Sequence, residues 1–281
     1  MKWLILDKSV FQGTPYGELA RFVKCHRVIL PYALYVECAI SQKGDPPKDS
    51  KDAMRLMQKL LEVVNNGAHA GKSPARIVEE EEATNAAIES LVDMEETQIM
   101  REGEFDEKTD FERIREKCDA AFKSPTDFVK QWTNQYFKNI GKKKLEKDFR
   151  EEVDESDLVG RLERWVRAVD DKKNDILSLY CRNGSRVVPA DGWEWQMVRL
   201  SLAWGTELAS KRNKSGSSFE NYDISNDIFD IHYVSHLSQA DGLVAGDKNL
   251  VQPLAMAAFP EKDVFNSIYD VPYRYCTHKC K

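Results

Sequence analysis

Five carboxylates in this chain end apolar runs or interrupt apolar faces, and that placement points to cation chemistry. The stretch Asp223 to Leu250 reads D-I-S-N-D-I-F-D-I-H-Y-V-S-H-L-S-Q-A-D-G-L-V-A-G-D-K-N-L. Its first half predicts a helix, with Ser225 suited to the cap and Ile228, Ile231, Val234 and Leu237 recurring at near-helical spacing. At about 100° per residue, Asp227 and Asp230 lie about 60° apart, inside the arc of those apolar residues. A core-facing stripe carries two carboxylates only at a cost, unless they are paired or bind a cation. The second half, Gly242 to Gly246, fits a buried strand that delivers Asp247 at its carboxyl end. Open α/β sheets place their ligands there.

Two more acids belong with these three. Lys2 to Leu6 predicts a buried first strand, and it ends in Asp7. Val28 to Leu30 predicts a second strand stopped by Pro31, and the helix after it carries Glu37 among Leu34, Val36, Cys38, Ala39 and Ile40. Taken alone, Glu37 suits a solvated helix face as well as a site. In a parallel sheet with these strands near its centre, all five acids converge on one edge. Crowded carboxylates raise one another's pKa values, so the cluster makes sense mainly as a cation cage. All-oxygen ligands favour Mg²⁺ or Mn²⁺ over zinc, and such ions activate water and stabilise a departing oxygen in phosphodiester cleavage.

The rest of the chain supplies the elements that must position these acids. Its 281 residues suffice for one large or two ordinary domains, and 42% hydrophobic content excludes a disordered polymer. No apolar run approaches the roughly 18 residues of a membrane span. The opening apolar run breaks at Asp7, before a signal-peptide core could form, so the reading is cytoplasmic, with the six cysteines as reduced thiols. A net charge of −6 argues against a generic nucleic-acid-coating protein and confines such contacts to local basic patches.

Gly44-Asp45-Pro46-Pro47 punctuates the chain, and composition changes after it. Residues 48–182 are rich in Glu, Lys, Arg and Ala and predict helices over 52–64, 74–101, 110–122, 125–140, 144–153 and 158–180, with no strand. Within them, Glu79 to Glu82 reads as a solvated acidic face. After Asn183-Gly184, the run Arg186 to Pro189 resumes a strand-then-proline pattern. A helix over 193–211 comes next, with Trp193, Met197, Leu200, Trp204 and Leu208 as a core or subunit-interface stripe. A helix over 249–259 and a last strand near 264–268 complete the alternation. The expected fold is a three-layer α/β domain with a parallel sheet, formed by 1–47 and 183–281 and interrupted by a large helical insertion at 48–182.

As a set, L-I-L-D at 4–7, P-Y-A-L-Y-V-E at 31–37, N-D-I-F-D-I-H-Y-V-S-H-L and A-D-G-L-V-A-G-D-K resemble the motifs of the PIN-like nuclease superfamily. The resemblance covers about residues 1–40 and 186–270. It implies a metal-dependent nuclease, RNA being the favoured substrate over DNA, with Asp7, Glu37, Asp230 and Asp247 as catalytic ligands of Mg²⁺ or Mn²⁺. Asp227, one turn earlier, replaces or supplements Asp230. Two departures stand out: Gly246 takes the place of the Thr or Ser that many members carry before the last Asp, and the insertion is foreign to the common fold. The main alternative is a PIN-like scaffold that binds nucleic acid or protein without cleaving; a phosphatase acting on a small substrate ranks below it. A second copy of the chain or an inhibitory protein is a further partner class.

The positive charge a polyanion needs is local. Lys142, Lys143 and Lys144, with Lys138 and Lys147, come after Trp132, Tyr136 and Phe137, a mixture that suits phosphate contacts and stacking, or else a solvated junction over buried aromatics. Lys211, Arg212 and Lys214 lead directly into the acidic helix. Cys276, His278 and Cys280 offer zinc-type atoms without a second ligand pair, and His232 and His236, without an HExxH context, read as ordinary helix residues. No phosphate-cradling loop, nucleophile elbow or dinucleotide fingerprint is present.

Overall fold

A computed structural model describes residues 2–40, 50–102, 125–139, 157–184, 188–214, 224 and 227–277. Six strands form one sheet: β1 (Trp3–Leu6), β2 (Arg27–Leu30), β3 (His69–Gly71), β4 (Val92–Asp93), β5 (Gly242–Val244) and β6 (Asp263–Phe265). Their order is β4-β3-β2-β1-β5-β6, parallel throughout except for the antiparallel β3–β4 pair. The central strands are continuous apolar runs because both faces are covered: Leu4, Ile5, Leu6, Val28, Leu30, Leu243 and Val244 are fully buried.

The chain winds outward from β1 in both directions. Helices α1 (Lys8–Gly13) and α2 (Tyr16–Cys25) lead from β1 to β2, and α3 (Tyr32–Ile40) and α4 (Ser50–Asn65) lead from β2 to β3. Strand β5, on the other side of β1, is entered much later, after α11 (Ile228–Ser235) and a short 3₁₀ turn at His236–Ser238, and α12 (Val251–Ala258) carries the chain on to β6. The winding direction therefore reverses between β1 and β5, which makes their carboxyl ends a topological switch point. Register puts Leu6 beside Val244, so Asp7 and Asp247 leave the sheet at the same edge.

The stretch expected to be wholly helical contributes to the sheet. Strands β3 and β4 lie inside residues 48–182, the former paired with β2. The expected helix over 74–101 is broken into α5 (Pro74–Thr84) and α6 (Met94–Glu102), because Asn85 adopts a left-handed φ of 51° that ends α5 and the chain turns through β4. Residues 125–139 form α7, and the helix expected over 158–180 is two, α8 (Leu158–Asp170) and α9 (Lys173–Gly184). The helices expected over 110–122 and 144–153 lie outside the described residues. So do Arg186 and Val187 of the expected third strand, and Val188 and Pro189 belong to no strand.

Helix α10 (Trp193–Lys214) is buried on nearly all sides, not along one stripe. Trp193, Trp195, Met197, Val198, Leu200, Leu202, Ala203 and Trp204 are all core. A helix covered on nearly all sides belongs in the interior of a large domain, and α10 packs there against α8 and α11. Its acids are matched one by one. Glu194 accepts from the Tyr180 hydroxyl at 2.6 Å, and Glu207 accepts from Arg161 Nε at 3.0 Å and Trp165 Nε1 at 3.1 Å.

Glu81 corrects the reading of 79–82 as a solvated face. Glu79 and Glu82 are exposed, but Glu81 is buried and accepts the Trp193 and Glu194 backbone N–H groups at 2.6 and 3.5 Å. It caps α10 from another helix, where a carboxylate also suits the helix dipole. Gly192 permits this approach, since a Cβ there would lie 2.6 Å from Glu81 Oε2.

The cysteines also depart from expectation. Cys25 is disulfide-bonded, whereas Cys38, Cys181 and Cys276 are thiols. Spacing alone carries no signal for that pairing. Among the described residues, no helix is long and apolar enough to cross a membrane.

Candidate active site

Asp7 is fixed by the first turn of α1, directly beyond the end of β1. Its carboxylate is the N-cap of α1, accepting the Val10 N–H at 3.0 Å, and its backbone N–H donates to Val244 O at 3.1 Å. The Ser9 hydroxyl donates to the same carboxylate, 2.8 and 2.9 Å from its two oxygens, and accepts the Gly246 N–H at 2.8 Å. Ser9 thus ties the ends of β1 and β5 together. A Cβ on Gly246 would lie 2.6 Å from Ser9 Oγ, so a hydroxyl residue at 246 would compete with the hydroxyl already supplied by Ser9. Burial pushes the Asp7 carboxyl up to about 6, against the lowering effect of these hydrogen bonds. Asp247, on the same edge, accepts the Asn249 and Leu250 N–H groups at 2.6 and 3.2 Å as the chain turns toward α12.

Glu37 joins two helices at this edge. Projecting from α3, it accepts the Tyr233 hydroxyl of α11 at 2.6 Å on Oε2 and pairs with Lys8 Nζ at 3.2 Å on Oε1. Burial, and next the Glu37 charge, hold the Tyr233 hydroxyl well above its ordinary range, so it stays a donor. Asp227 occupies the N-cap position of α11 without a side-chain capping bond, and accepts Trp204 Nε1 at 2.6 Å. Ser225, expected as the cap, lies outside the described residues.

Asp230, in the first turn of α11, connects the set. Its carboxyl is raised to about 7, first by burial and then by the charges of Glu37, Asp247, Asp227 and Asp7. The other four acids singled out in the sequence are therefore within electrostatic reach of Asp230 at the switch point. The donor set is all oxygen, which suits Mg²⁺ or Mn²⁺. As arranged, however, no group of three or more His, Cys, Asp or Glu side chains among the described residues is gathered tightly enough to hold an ion. The electrostatic coupling and the absence of a ready cage are compatible. Ser9, Lys8, Tyr233 and Trp204 take up oxygens of Asp7, Glu37 and Asp227.

Lys142, Lys143, Lys144 and Lys147 lie outside the described residues, as do the side chains of Lys211, Arg212 and Lys214, whose backbone forms the last turn of α10. Lys138 is exposed on α7, but Trp132 and Phe137 are buried and Trp132 packs edge-on against Tyr180, so these two aromatics are core and not a stacking platform. Cys276 Sγ lies 3.3 Å from His26 Nε2, while His278 and Cys280 are outside the described residues. His232 and His236 are fully buried, their rings tilted to each other at 4.3 Å and edge-on to Trp193, and burial lowers both pKa values.

Lys8, Ser9 and Tyr233 were not singled out from the sequence. Lys8 and Ser9 had one usable signal, their position directly after Asp7; Tyr233 had only its i+3 spacing from Asp230. No protein-family model, no curated protein and no solved structure matches this chain.

Proposed function

We propose that this chain is a metal-dependent nuclease that cleaves phosphodiester bonds, RNA being the favoured substrate, with a PIN-like arrangement of its acids. The observation that carries this reading is the coupling of Asp7, Glu37, Asp227 and Asp247 to Asp230 at the β1/β5 switch point. Carboxylates crowded at one edge lower stability, so a cation is a physical reason to keep them together. Asp7, Asp230 and Asp247 are the ligands this reading assigns to Mg²⁺ or Mn²⁺, with Glu37 and Asp227 held nearby by Lys8, Tyr233 and Trp204. When bound, such an ion would activate water and offset charge on the phosphate. The protein's own part is to orient. Ser9 and the Val10 N–H fix Asp7, Tyr233 fixes Glu37, and partial burial excludes bulk water.

The alternative, a PIN-like binding scaffold without activity, is favoured by one observation: the carboxylates are not gathered into a ready cage. Cleavage of labelled single-stranded RNA and DNA with Mg²⁺, Mn²⁺ or EDTA separates the two. The nuclease reading expects ion-dependent cleavage that falls by at least about a thousandfold in Asp7→Asn and Asp247→Asn, since the ion supplies several kcal/mol of charge stabilisation. Cleavage that survives both substitutions, or no cleavage with either ion, decides against it.

A further inference from the structure

Helix α1 starts at the acidic edge and ends at a groove. Residues 12–16, where α1 passes into α2, form one wall, and α4 forms the other with Arg55, Gln58, Lys59 and Glu62. The space between them is about 740 Å³, within the range of sites that take small organic molecules. Since α1 has six residues and a helix rises about 1.5 Å per residue, the groove begins about 9 Å along the helix from the turn that holds Asp7. It is a neighbour of the candidate site and shares no residue with it.

The charge of the groove is opposite in kind to that of the edge. Lys59 is fixed by the backbone: its Nζ donates to Phe11 O at 2.5 Å and Thr14 O at 2.7 Å, and it lies 5.0 Å from the centre of the Phe11 ring. Carbonyl oxygens hold an ammonium in place without cancelling its charge. Arg55 is exposed one turn earlier on α4, and among the described residues no carboxylate forms an ion pair with either cation. Burial lowers the Lys59 pKa, and the Arg55 charge acts in the same direction. Like charges four residues apart on a helix repel, and an anion between them relieves the repulsion.

The other wall supplies an aromatic face. Tyr16 is 42% exposed, and its hydroxyl accepts Asn66 Nδ2 at 3.1 Å, which ties the ring to the end of α4. Gln12 and Gln58 bring side-chain amides, each with donors and an acceptor suited to the edge of a base. Cations for a phosphate, a ring for stacking and amides for a base edge are together the chemistry that binds a nucleotide of a single strand.

We propose that the groove between residues 12–16 and α4 binds single-stranded RNA, with Arg55 and Lys59 at the phosphate backbone and Tyr16 stacked on a base. Binding there needs no metal. That the bound strand continues to the acidic edge to be cleaved rests on the nuclease reading above.

The test is fluorescence anisotropy of a labelled oligouridylate of about 12 nucleotides with the full-length chain in EDTA, where neither cleavage nor metal binding contributes. The variants are Arg55→Gln, Tyr16→Leu, Tyr16→Phe and Lys24→Gln, the last removing an exposed charge at the far end of α2 as a control for net charge, with melting curves to check each fold. Arg55→Gln should bind about fivefold more weakly and lower the slope of log affinity against log salt by about 0.7, the value of one phosphate contact to a single strand. Tyr16→Leu should bind about tenfold more weakly and Tyr16→Phe like the wild type, because stacking needs the ring and not the hydroxyl. Lys24→Gln should match the wild type.

A wild type that does not bind the oligonucleotide, an equal loss in Lys24→Gln and Arg55→Gln, or the same affinity in both Tyr16 variants overturns the proposal. So does uridine 5′-monophosphate binding as tightly as the oligonucleotide, since the groove would then hold a free nucleotide. Ion-dependent cleavage with unaltered binding in Arg55→Gln and Tyr16→Leu overturns the groove alone. Absence of ion-dependent cleavage, with the expected binding pattern in EDTA, overturns the nuclease reading and supports the groove.

Discussion

The acids around α10 and the acids at the β1/β5 edge solve the problem of burial in opposite ways. Around α10, each carboxylate has its own donors: Glu81 takes the first N–H groups of the helix, Glu194 the Tyr180 hydroxyl, and Glu207 the Arg161 guanidinium with Trp165. At the sheet edge the largest influence on Asp230 after burial is a series of other carboxylates. The first arrangement is complete without a ligand. The second sets carboxylates against one another, a repulsion that a proton, Lys8 or an added cation relieves. Buried acids are therefore read for function by what surrounds them, not by burial alone.

Substitutions test this contrast. The largest effect on stability is expected at the matched acids. Arg161→Met leaves the Glu207 carboxylate buried beside Trp165 without its guanidinium, and should cost about 3–5 kcal/mol in denaturant unfolding. A change within about 0.5 kcal/mol would mean that Glu207 is no more satisfied than Asp230.

At the sheet edge the sign reverses. The folded-state pKa of Asp230 lies at about 7, above its ordinary 3.8, and that of Asp7 at about 6. A carboxyl raised by folding contributes stability that is complete below pH 4 and is lost as pH rises through the folded value. For Asp7, a displacement of that size corresponds to about 3 kcal/mol. Without metal, the wild type should therefore lose stability between about pH 4 and pH 8. Asp230→Asn should flatten that loss and melt above the wild type at pH 8; steeper pH dependence in the variant would contradict the account.

The smallest effect is expected at Gly246. Gly246→Ser forces its Cβ to within 2.6 Å of Ser9 Oγ unless Ser9 moves. Ser9 is exposed and can rotate, so the cost in unfolding free energy should be about 1 kcal/mol. A stabilised variant would show that the second hydroxyl is accommodated.

Much of the site was legible because its signals are local. Asp7 and Asp247 each end an apolar strand, and the helical period places Asp227 and Asp230 together. The illegible parts depend on distant partners. Strand β3 is only His69, Ala70 and Gly71, too short and too small in its side chains for an alternation signal, and it is a strand because β2 offers a free edge. Glu81 sits in a run of four glutamates that reads as solvated, and its partner is the start of a helix 112 residues away. Tyr233 is one apolar residue among several in α11 until α3 brings Glu37 against it.

The central claim is that the β1/β5 edge is a divalent-cation site, and the Mn²⁺ dependence of the melting temperature tests it most directly. At pH 7.5, Mn²⁺ should raise the melting temperature of the wild type, because a ligand that binds only the folded state stabilises it, and should leave that of Asp247→Asn unchanged. An equal rise in both proteins, or none in the wild type, would contradict the account.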